Sequence, residues 1–244
     1  MIKSLSYLFS SIYYLVFGSI LVFFHPLQVI CFQLFGIRMQ SRVVSTLNFW
    51  LIRCLGLLGT RVQFNNPHTF PKGRTLVFVA NHQSTYDIPP IIWFLRRYQP
   101  KFVAKKELGK GLPSISYHLR NGGNVLIDRK DSVGSLKAIK QFCSNVYANG
   151  WSIAIFPEGT RTRNGQPKKF QRGGLQMILN EIPDALLVPI SINNSWKLVR
   201  WNYFPMPLGI KISLDVSAAI DPKEMSVEEA IDEVEVVVRK GINN

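Results

Sequence analysis

The sequence predicts an α/β fold, in which a mostly parallel sheet is flanked by helices and preceded by an N-terminal hydrophobic two-helix segment. Short β-branched apolar runs alternate with helix-like stretches after about residue 60, which is the order of strand–helix–strand units. Ahead of them lies a strongly apolar region, in a chain of 244 residues that is 47% hydrophobic. We therefore divide the chain into residues 1–59 and an α/β domain at residues 60–244.

The first segment begins with residues 4–24, a run of 21 residues without a formal charge. A helix of that length can cross the hydrocarbon core of a bilayer. No small-residue cleavage site follows it, so a removable signal peptide is not expected. A second stretch, residues 38–58, combines three arginines with Trp and Leu, as interfacial helices do.

We expect these two helices to hold the chain at a membrane, on the cytoplasmic face of the inner or plasma membrane. Whether the first helix spans the bilayer or lies in one leaflet stays open. The alternative is a hydrophobic helical hairpin that packs on the α/β domain.

The α/β segment divides into strand and helix candidates in a regular order. Prolines 89 and 90 suit the first turn of a helix, and Asn149-Gly150 is a typical helix end. Strands are expected near residues 75–80, 101–104, 123–128, 152–156, 186–192 and 210–216, with a shorter one at 61–64. Helices are expected near residues 88–97, 132–148, 172–181 and 226–240.

The net charge of +14 is unevenly distributed along the chain. Residues 215–235 hold eight of the fifteen acids, and residues 1–214 hold 26 of the 29 Lys and Arg, a local balance of +19. Such a field suits an anionic membrane, a phosphate substrate or an acidic carrier protein. Nucleic acid is not expected as a partner, because it would not explain the apolar helices. No His-Glu-x-x-His or Cys/His cluster indicates a metal.

Polar residues follow three of the predicted strands. The strand at 75–80 leads to His82 and Asp87, the one at 123–128 leads to Arg129, and the one at 152–156 leads to Glu158 and Arg161. The carboxyl ends of parallel strands lie along one sheet edge, where ligands bind in α/β folds. A His held by a carboxylate can take a proton from a hydroxyl near neutral pH, and arginines suit phosphate or carboxylate capture.

These motifs resemble the four ordered blocks of the glycerolipid acyltransferases, and most of all the bacterial 1-acyl-glycerol-3-phosphate (lysophosphatidic acid) acyltransferases. The blocks are Asn-His-x4-Asp at 81–87, Gly-x-x-x-Ile-Asp-Arg at 123–129, Phe-Pro-Glu-Gly-Thr-Arg at 156–161 and Val-Pro-Ile at 188–190. One departure is Leu126, where the second block usually has Phe. The resemblance covers about residues 75–192.

The resemblance implies that His82 is the general base on the glycerol hydroxyl and that Asp87 holds its imidazole. The acyl donor would be a thioester co-substrate, acyl-ACP or acyl-CoA, with no bound cofactor and no metal. The residues implied for phosphate and glycerol binding are Lys105, Arg129, Glu158, Gly159, Thr160 and Arg161. The residues implied for the acyl chain or the shape of the site are Val188, Pro189 and Ile190.

The expected activity is acyl transfer to the sn-2 hydroxyl of lysophosphatidic acid, which gives phosphatidic acid for phospholipid biosynthesis. Alternatives are a related acyltransferase for glycerol-3-phosphate, an acyl-amino-acid lipid or another lysophospholipid, or a non-catalytic lipid-surface module. Arg129 and Arg161 could instead pair structurally with Asp131 or Glu158. Lys105 could be a solvated charge.

Overall fold

The structure is a computed structural model that describes residues 2–128 and 130–242. Arg129, one of the predicted phosphate ligands, lies outside the described residues. The helices are α1 (Ile2–Cys54), α2 (Ile88–Phe94), α3 (Ile115–Asn121), α4 (Ser132–Asn149), α5 (Arg172–Glu181) and α6 (Val227–Lys240). The strands are β1 (Arg61–Asn65), β2 (Leu76–Ala80), β3 (Pro100–Lys105), β4 (Val125–Ile127), β5 (Ser152–Ile155), β6 (Leu186–Asn193) and β7 (Lys211–Val216).

The seven strands form one sheet in the order β1-β7-β6-β2-β5-β3-β4. Within the described residues every pairing is parallel except that of β6 with β7, which is antiparallel. The predicted α/β fold with a mostly parallel sheet is therefore confirmed. β2 and β5 are neighbours near the centre, with Val79 opposite Ile155, so the loops that follow them meet at one sheet edge.

Helices cover both faces of the sheet, and β2 shows why. Its side chains alternate between two cores: Phe78 packs in the cluster that contains α2 residues, and Val77 and Val79 pack in the cluster formed with α4, α5 and α6. A strand buried on both faces is apolar throughout rather than alternating. This explains the uninterrupted apolar run of β2, in which all five residues are buried.

α1 is a single helical element with a sharp break at Gly36 (φ 71°, ψ −169°). We call residues 2–35 the first arm and residues 37–54 the second arm. The arms fold back on each other, because Leu21 and Phe24 of the first arm form a buried cluster with Leu47 and Leu51 of the second. The non-helical backbone at Gly36 divides α1 into its two arms; that they act as a two-helix membrane segment stays a prediction.

The span Lys3–Leu58 is long and apolar enough to cross a membrane by length and composition, and most of its apolar part is not buried in the protein. The first arm is nevertheless attached to the α/β domain. Ser114 donates a hydrogen bond from its hydroxyl to the carbonyl of Leu21 (2.7 Å), and the Ser10 hydroxyl accepts one from the Met206 N–H (2.7 Å).

Candidate active site

The loop between β2 and α2 carries a His–Asp pair. His82 Nδ1 lies 2.8 Å from Asp87 Oδ2. The same oxygen accepts hydrogen bonds from the backbone N–H groups of Gln83 (2.7 Å) and Ser84 (2.9 Å). Ser84 and Asp87 form a reciprocal capping box at the 3₁₀ helix Thr85–Asp87, so local helix-capping chemistry places the carboxylate under the histidine.

The imidazole of His82 is held on one face as well as at Nδ1. The Phe156 ring stacks on it, with centroids 4.2 Å apart and planes 23° apart. The His82 side chain keeps 17% exposure, whereas that of Asp87 has none. A carboxylate bonded to Nδ1 orients the ring so that Nε2 can accept a proton. The arrangement can therefore deprotonate a hydroxyl that approaches from the exposed side.

Two side chains outside the loop fix its position. The Asn81 amide pairs with the backbone of Ile192 in β6, donating to its carbonyl (2.9 Å) and accepting from its N–H (2.7 Å). Ser195, fully buried, donates its hydroxyl to Asp87 Oδ1. Both contacts join the loop after β2 to the end of β6 or the residues just after it, and β6 is the neighbour of β2 in the sheet.

Ser195 belongs to the site geometry, but the sequence analysis does not include it. It comes two residues after the end of β6, in a polar turn that begins at Asn193, the last residue of that strand. This turn comes after a fourth strand that is parallel to β2, and so lies at the same sheet edge. The signal that identifies the other three loops could therefore have found it.

Glu158 connects the loop after β5 to the histidine loop through backbone contacts. Its Oε1 accepts from the His82 N–H and its Oε2 from the Lys168 N–H, each at 2.9 Å. Burial raises the pKa of Glu158, and the two backbone hydrogen bonds oppose that rise. The Thr162 N–H adds a bond to the His82 carbonyl (2.8 Å). The carboxylate thus spans two loops, and its predicted contact with substrate phosphate stays a prediction.

The rest of the loop after β5, whose Thr162 N–H is bonded to the His82 carbonyl, carries exposed cations. Arg161 is exposed and donates to the Tyr203 hydroxyl (2.6 Å), and Lys168 Nζ donates to the Thr160 hydroxyl (2.6 Å). Gly159 has φ 70°, a left-handed conformation that a side chain would strain. Residues 161–168 line an open concavity of about 600 Å³, which can accommodate an anionic headgroup.

Tyr203 links this loop to the N-terminal helix. Its carbonyl accepts a hydrogen bond from the Tyr14 hydroxyl (2.7 Å), and the neighbouring Phe204 ring contacts Tyr7 at 5.4 Å between centroids. The first arm of α1 therefore lies close to the loop that carries Arg161. No sequence pattern indicated this contact, because 189 positions separate the two tyrosines.

The structure places the other predicted residues at varying distances from the pair. Lys105 is exposed at the end of β3, which β5 separates from β2. Val188 and Ile190 are fully buried in the core beside β2, and Pro189 pairs with Val79. These three therefore form the strand that supports the histidine loop.

Residues 61–193 match the family model named Acyltransferase, and they make up more than half of the chain. The fold and the match together define the class: the chain belongs to the acyltransferase family. The sequence analysis predicts a glycerolipid acyltransferase, and the names of the chain's relatives support that prediction.

Several curated relatives of this chain are named 1-acyl-sn-glycerol-3-phosphate acyltransferases. The alpha form of Homo sapiens is 29% identical over 154 residues, covering 62% of this chain and 52% of that protein. The Helicobacter pylori protein is 33% identical over 144 residues (56% and 58%), and that of Haemophilus influenzae is 27% identical over 171 residues (69% and 70%). The match spans about half the length of the first curated relatives.

The crystal structure of the 1-acyl-sn-glycerophosphate (LPA) acyltransferase PlsC from Thermotoga maritima superimposes with a TM-score of 0.80. It shares 25% sequence identity, and the alignment covers 99% of this chain and 96% of that one. The similarity therefore includes the N-terminal helix as well as the α/β domain.

Proposed function

We propose that this protein is a membrane-bound acyltransferase for lysophosphatidic acid. It transfers a fatty acyl group from acyl-ACP or acyl-CoA to the sn-2 hydroxyl of 1-acyl-glycerol-3-phosphate and releases phosphatidic acid and the free thiol. The observation that carries the proposal is the His82–Asp87 pair, joined at 2.8 Å, beside a cationic loop. The names of the relatives supply the acceptor.

In the first step the sn-2 hydroxyl donates its proton to Nε2 of His82 as its oxygen attacks the thioester carbonyl carbon. Asp87 stabilises the imidazolium that forms. In the second step the tetrahedral intermediate collapses, the C–S bond breaks, and the leaving thiolate takes the proton from His82. The substrate hydroxyl is the nucleophile, so no acyl-enzyme forms.

The acceptor phosphate is held by the loop after β5. Arg161 lines the concavity, Gly159 and Thr160 precede it in the same loop, and guanidinium groups suit bidentate phosphate binding. Lys105 and Arg129 complete the phosphate site in this proposal. Glu158 acts by fixing the loop to His82, because both of its oxygens accept backbone hydrogen bonds.

Membrane attachment through residues 1–59 supplies a hydrophobic acceptor and removes a hydrophobic product. The first arm of α1 exposes large apolar side chains that the α/β domain leaves uncovered. The most exposed of them are Leu8, Leu15, Val22, Phe23, Leu34 and Phe35. Contact with lipid would remove this surface from water, with the α/β domain at residues 60–244 on the cytoplasmic side.

Purified protein in mixed micelles tests the proposal directly. Labelled acyl-ACP and acyl-CoA are each incubated with lysophosphatidic acid, glycerol-3-phosphate and lysophosphatidylcholine, and the product is identified by chromatography. We expect phosphatidic acid from lysophosphatidic acid. Transfer to another acceptor, without transfer to lysophosphatidic acid, would contradict the assignment.

Replacement of His82 by Ala tests the carrying observation. We expect acyl transfer to fall on the order of 10²–10⁴-fold, as loss of a general base does, with membrane binding retained. His68→Ala is the matched control, because His68 is a partly buried loop histidine outside the site. Unchanged transfer by the His82 variant would refute the mechanism.

A further inference from the structure

A second cationic cavity lies away from the His–Asp pair. It has a volume of about 380 Å³ and is lined by the second arm of α1, the end of α2, the start of β3 and His118 of α3. Five Lys and Arg side chains line it: Arg38, Arg42, Arg96, Arg97 and Lys101. The Ser41, Ser45 and Thr46 side chains add hydroxyl groups.

No carboxylate compensates these cations. The cavity lining contains neither Asp nor Glu, and the ion pairs found among residues 2–128 and 130–242 involve none of the five. Arg96 and Arg97 lie over the rings of Trp93 and Tyr98, at 3.9 and 4.5 Å from the ring centroids. Five like charges around one cavity repel each other and attract an anion.

Lys101 makes the case specific, because it is almost fully buried. It is 2% exposed, its Nζ lies 4.4 Å from the centroid of the Trp151 ring, and the Ser41 hydroxyl is 3.5 Å away. A buried cation without a carboxylate partner costs free energy, which a bound anion would recover. Exposed surface lysines carry no such cost, so this cavity differs from a general basic surface.

The cavity is distinct from the reaction site. Lys101 pairs with Ile153 in β5, at the level of Val77 in β2. That level lies about 10 Å before Ala80, where β2 ends and the histidine loop begins. Arg96 and Arg97 follow the C-terminal end of α2, the opposite end from Asp87. The cavity therefore lies toward the N-terminal ends of these strands, whereas the His82 loop lies at their carboxyl ends.

The surroundings indicate the source of the anion. Leu34 and Phe35 are 69% and 64% exposed at the break that begins the second arm, and Trp50, 50% exposed, lies further along it. Exposed aromatic and aliphatic side chains beside arginines are typical of a membrane interface. An anion that reaches the cavity from this side is a lipid headgroup, whose acyl chains would contact the apolar surface of α1.

We propose that this cavity binds the phosphate of an anionic membrane phospholipid, separately from the acceptor that reacts at His82. The arginines hold the phosphate from the outside, Lys101 holds it from beneath, and the acyl chains lie along α1. The site goes beyond acyl transfer: it fixes the orientation of the domain on an anionic leaflet.

Native mass spectrometry and thermal unfolding of the full chain in detergent micelles test the proposal. The probes are phosphatidylglycerol, phosphatidylcholine, inorganic phosphate and coenzyme A. We expect one tightly bound phosphatidylglycerol per chain and an increase in Tm with that lipid alone. Equal binding of phosphatidylcholine, or an equal increase in Tm with phosphate or coenzyme A at the same concentration, would overturn the assignment to a lipid.

The double variant Arg42→Gln/Arg97→Gln removes two charges from the exposed rim of the cavity. We expect phosphatidylglycerol binding to weaken by about tenfold for each cation lost, with acyl transfer to a micellar acceptor unchanged. The control Lys137→Gln/Lys240→Gln removes two exposed charges outside the cavity and should bind as the unmodified chain does. Equal weakening in both variants would show general electrostatic attraction and would refute the site.

Discussion

Replacement of Lys101 by Met should stabilise the protein when no anion is bound. Burial lowers the pKa of Lys101 from 10.5 to about 8, and this difference corresponds to about 3 kcal/mol of destabilisation at neutral pH. Met has a similar length and no charge to desolvate. It gives up the contact of the ammonium with the Trp151 ring, worth about 1–2 kcal/mol in a desolvated setting. The net gain is therefore about 1–2 kcal/mol.

The pH dependence of the stability difference shows whether the Met variant gains from removing a buried charge or from better packing. Between about pH 8 and pH 10.5 the unfolded chain keeps the Lys101 proton and the folded chain has lost it. Because the unfolded state then binds more protons, stability rises with pH across this window. The cost of Lys101 is thus complete below pH 8 and disappears by about pH 10.5, where the two proteins should converge.

Thermal unfolding in detergent without anionic lipid measures the effect. At pH 7 we expect the Met variant to have a Tm higher by about 2–8 °C, given about 2–4 °C per kcal/mol for a chain of this size. The exposed Lys137 provides the control, since its replacement by Met removes a charge with no burial. A Met variant that unfolds at a lower Tm at pH 7, or whose advantage is the same at pH 7 and 10.5, would refute the reasoning.

Three further substitutions test the reaction site. Asp87→Asn should lower kcat on the order of 10²–10⁴-fold, because the histidine loses the partner that orients it; steady-state kinetics with unchanged Tm checks this. Ser195→Ala removes one hydroxyl donor from Asp87 and should lower kcat by about tenfold with little change in acceptor KM, whereas Ser195→Thr should restore it; equal loss in both would indicate a packing role alone. Arg161→Lys should raise the KM for lysophosphatidic acid by about tenfold and leave the KM for the thioester unchanged, and a reversed pattern would move Arg161 to the donor site.

The centre of the sheet could be predicted because β2, β5 and β6 are buried along their whole length, which makes them largely apolar runs. An apolar run does not indicate whether the strand pairs parallel or antiparallel with its neighbour. β7 pairs antiparallel with β6, and only tertiary packing decides this. α3, at Ile115–Asn121, was missed for a related reason: its seven residues are too few to show a clear period, and contacts with α1 hold it in place.

In the candidate site, too, contacts between residues close in sequence could be predicted, whereas contacts between distant residues could not. The His82–Asp87 contact joins residues five positions apart in one loop, so a local motif, read together with the other three blocks, indicates it. Ser195 reaches the same carboxylate from 108 positions away, and Glu158 contacts backbone N–H groups that a sequence pattern does not identify. The roles assigned to these residues in acyl transfer stay predictions.

Asp87 caps the 3₁₀ helix Thr85–Asp87 together with Ser84 and also contacts His82, and the two functions are compatible. A fully buried carboxylate is costly unless hydrogen bonds compensate its charge. Three of its donors, the N–H groups of Gln83 and Ser84 and the Ser195 hydroxyl, do not depend on the histidine. The loop therefore keeps its shape whether the imidazole is neutral or protonated, and His82 can accept and return a proton without rearrangement. The capping box that starts the helix is thus also the reason that His82, the proposed general base, is held in position before substrate binds.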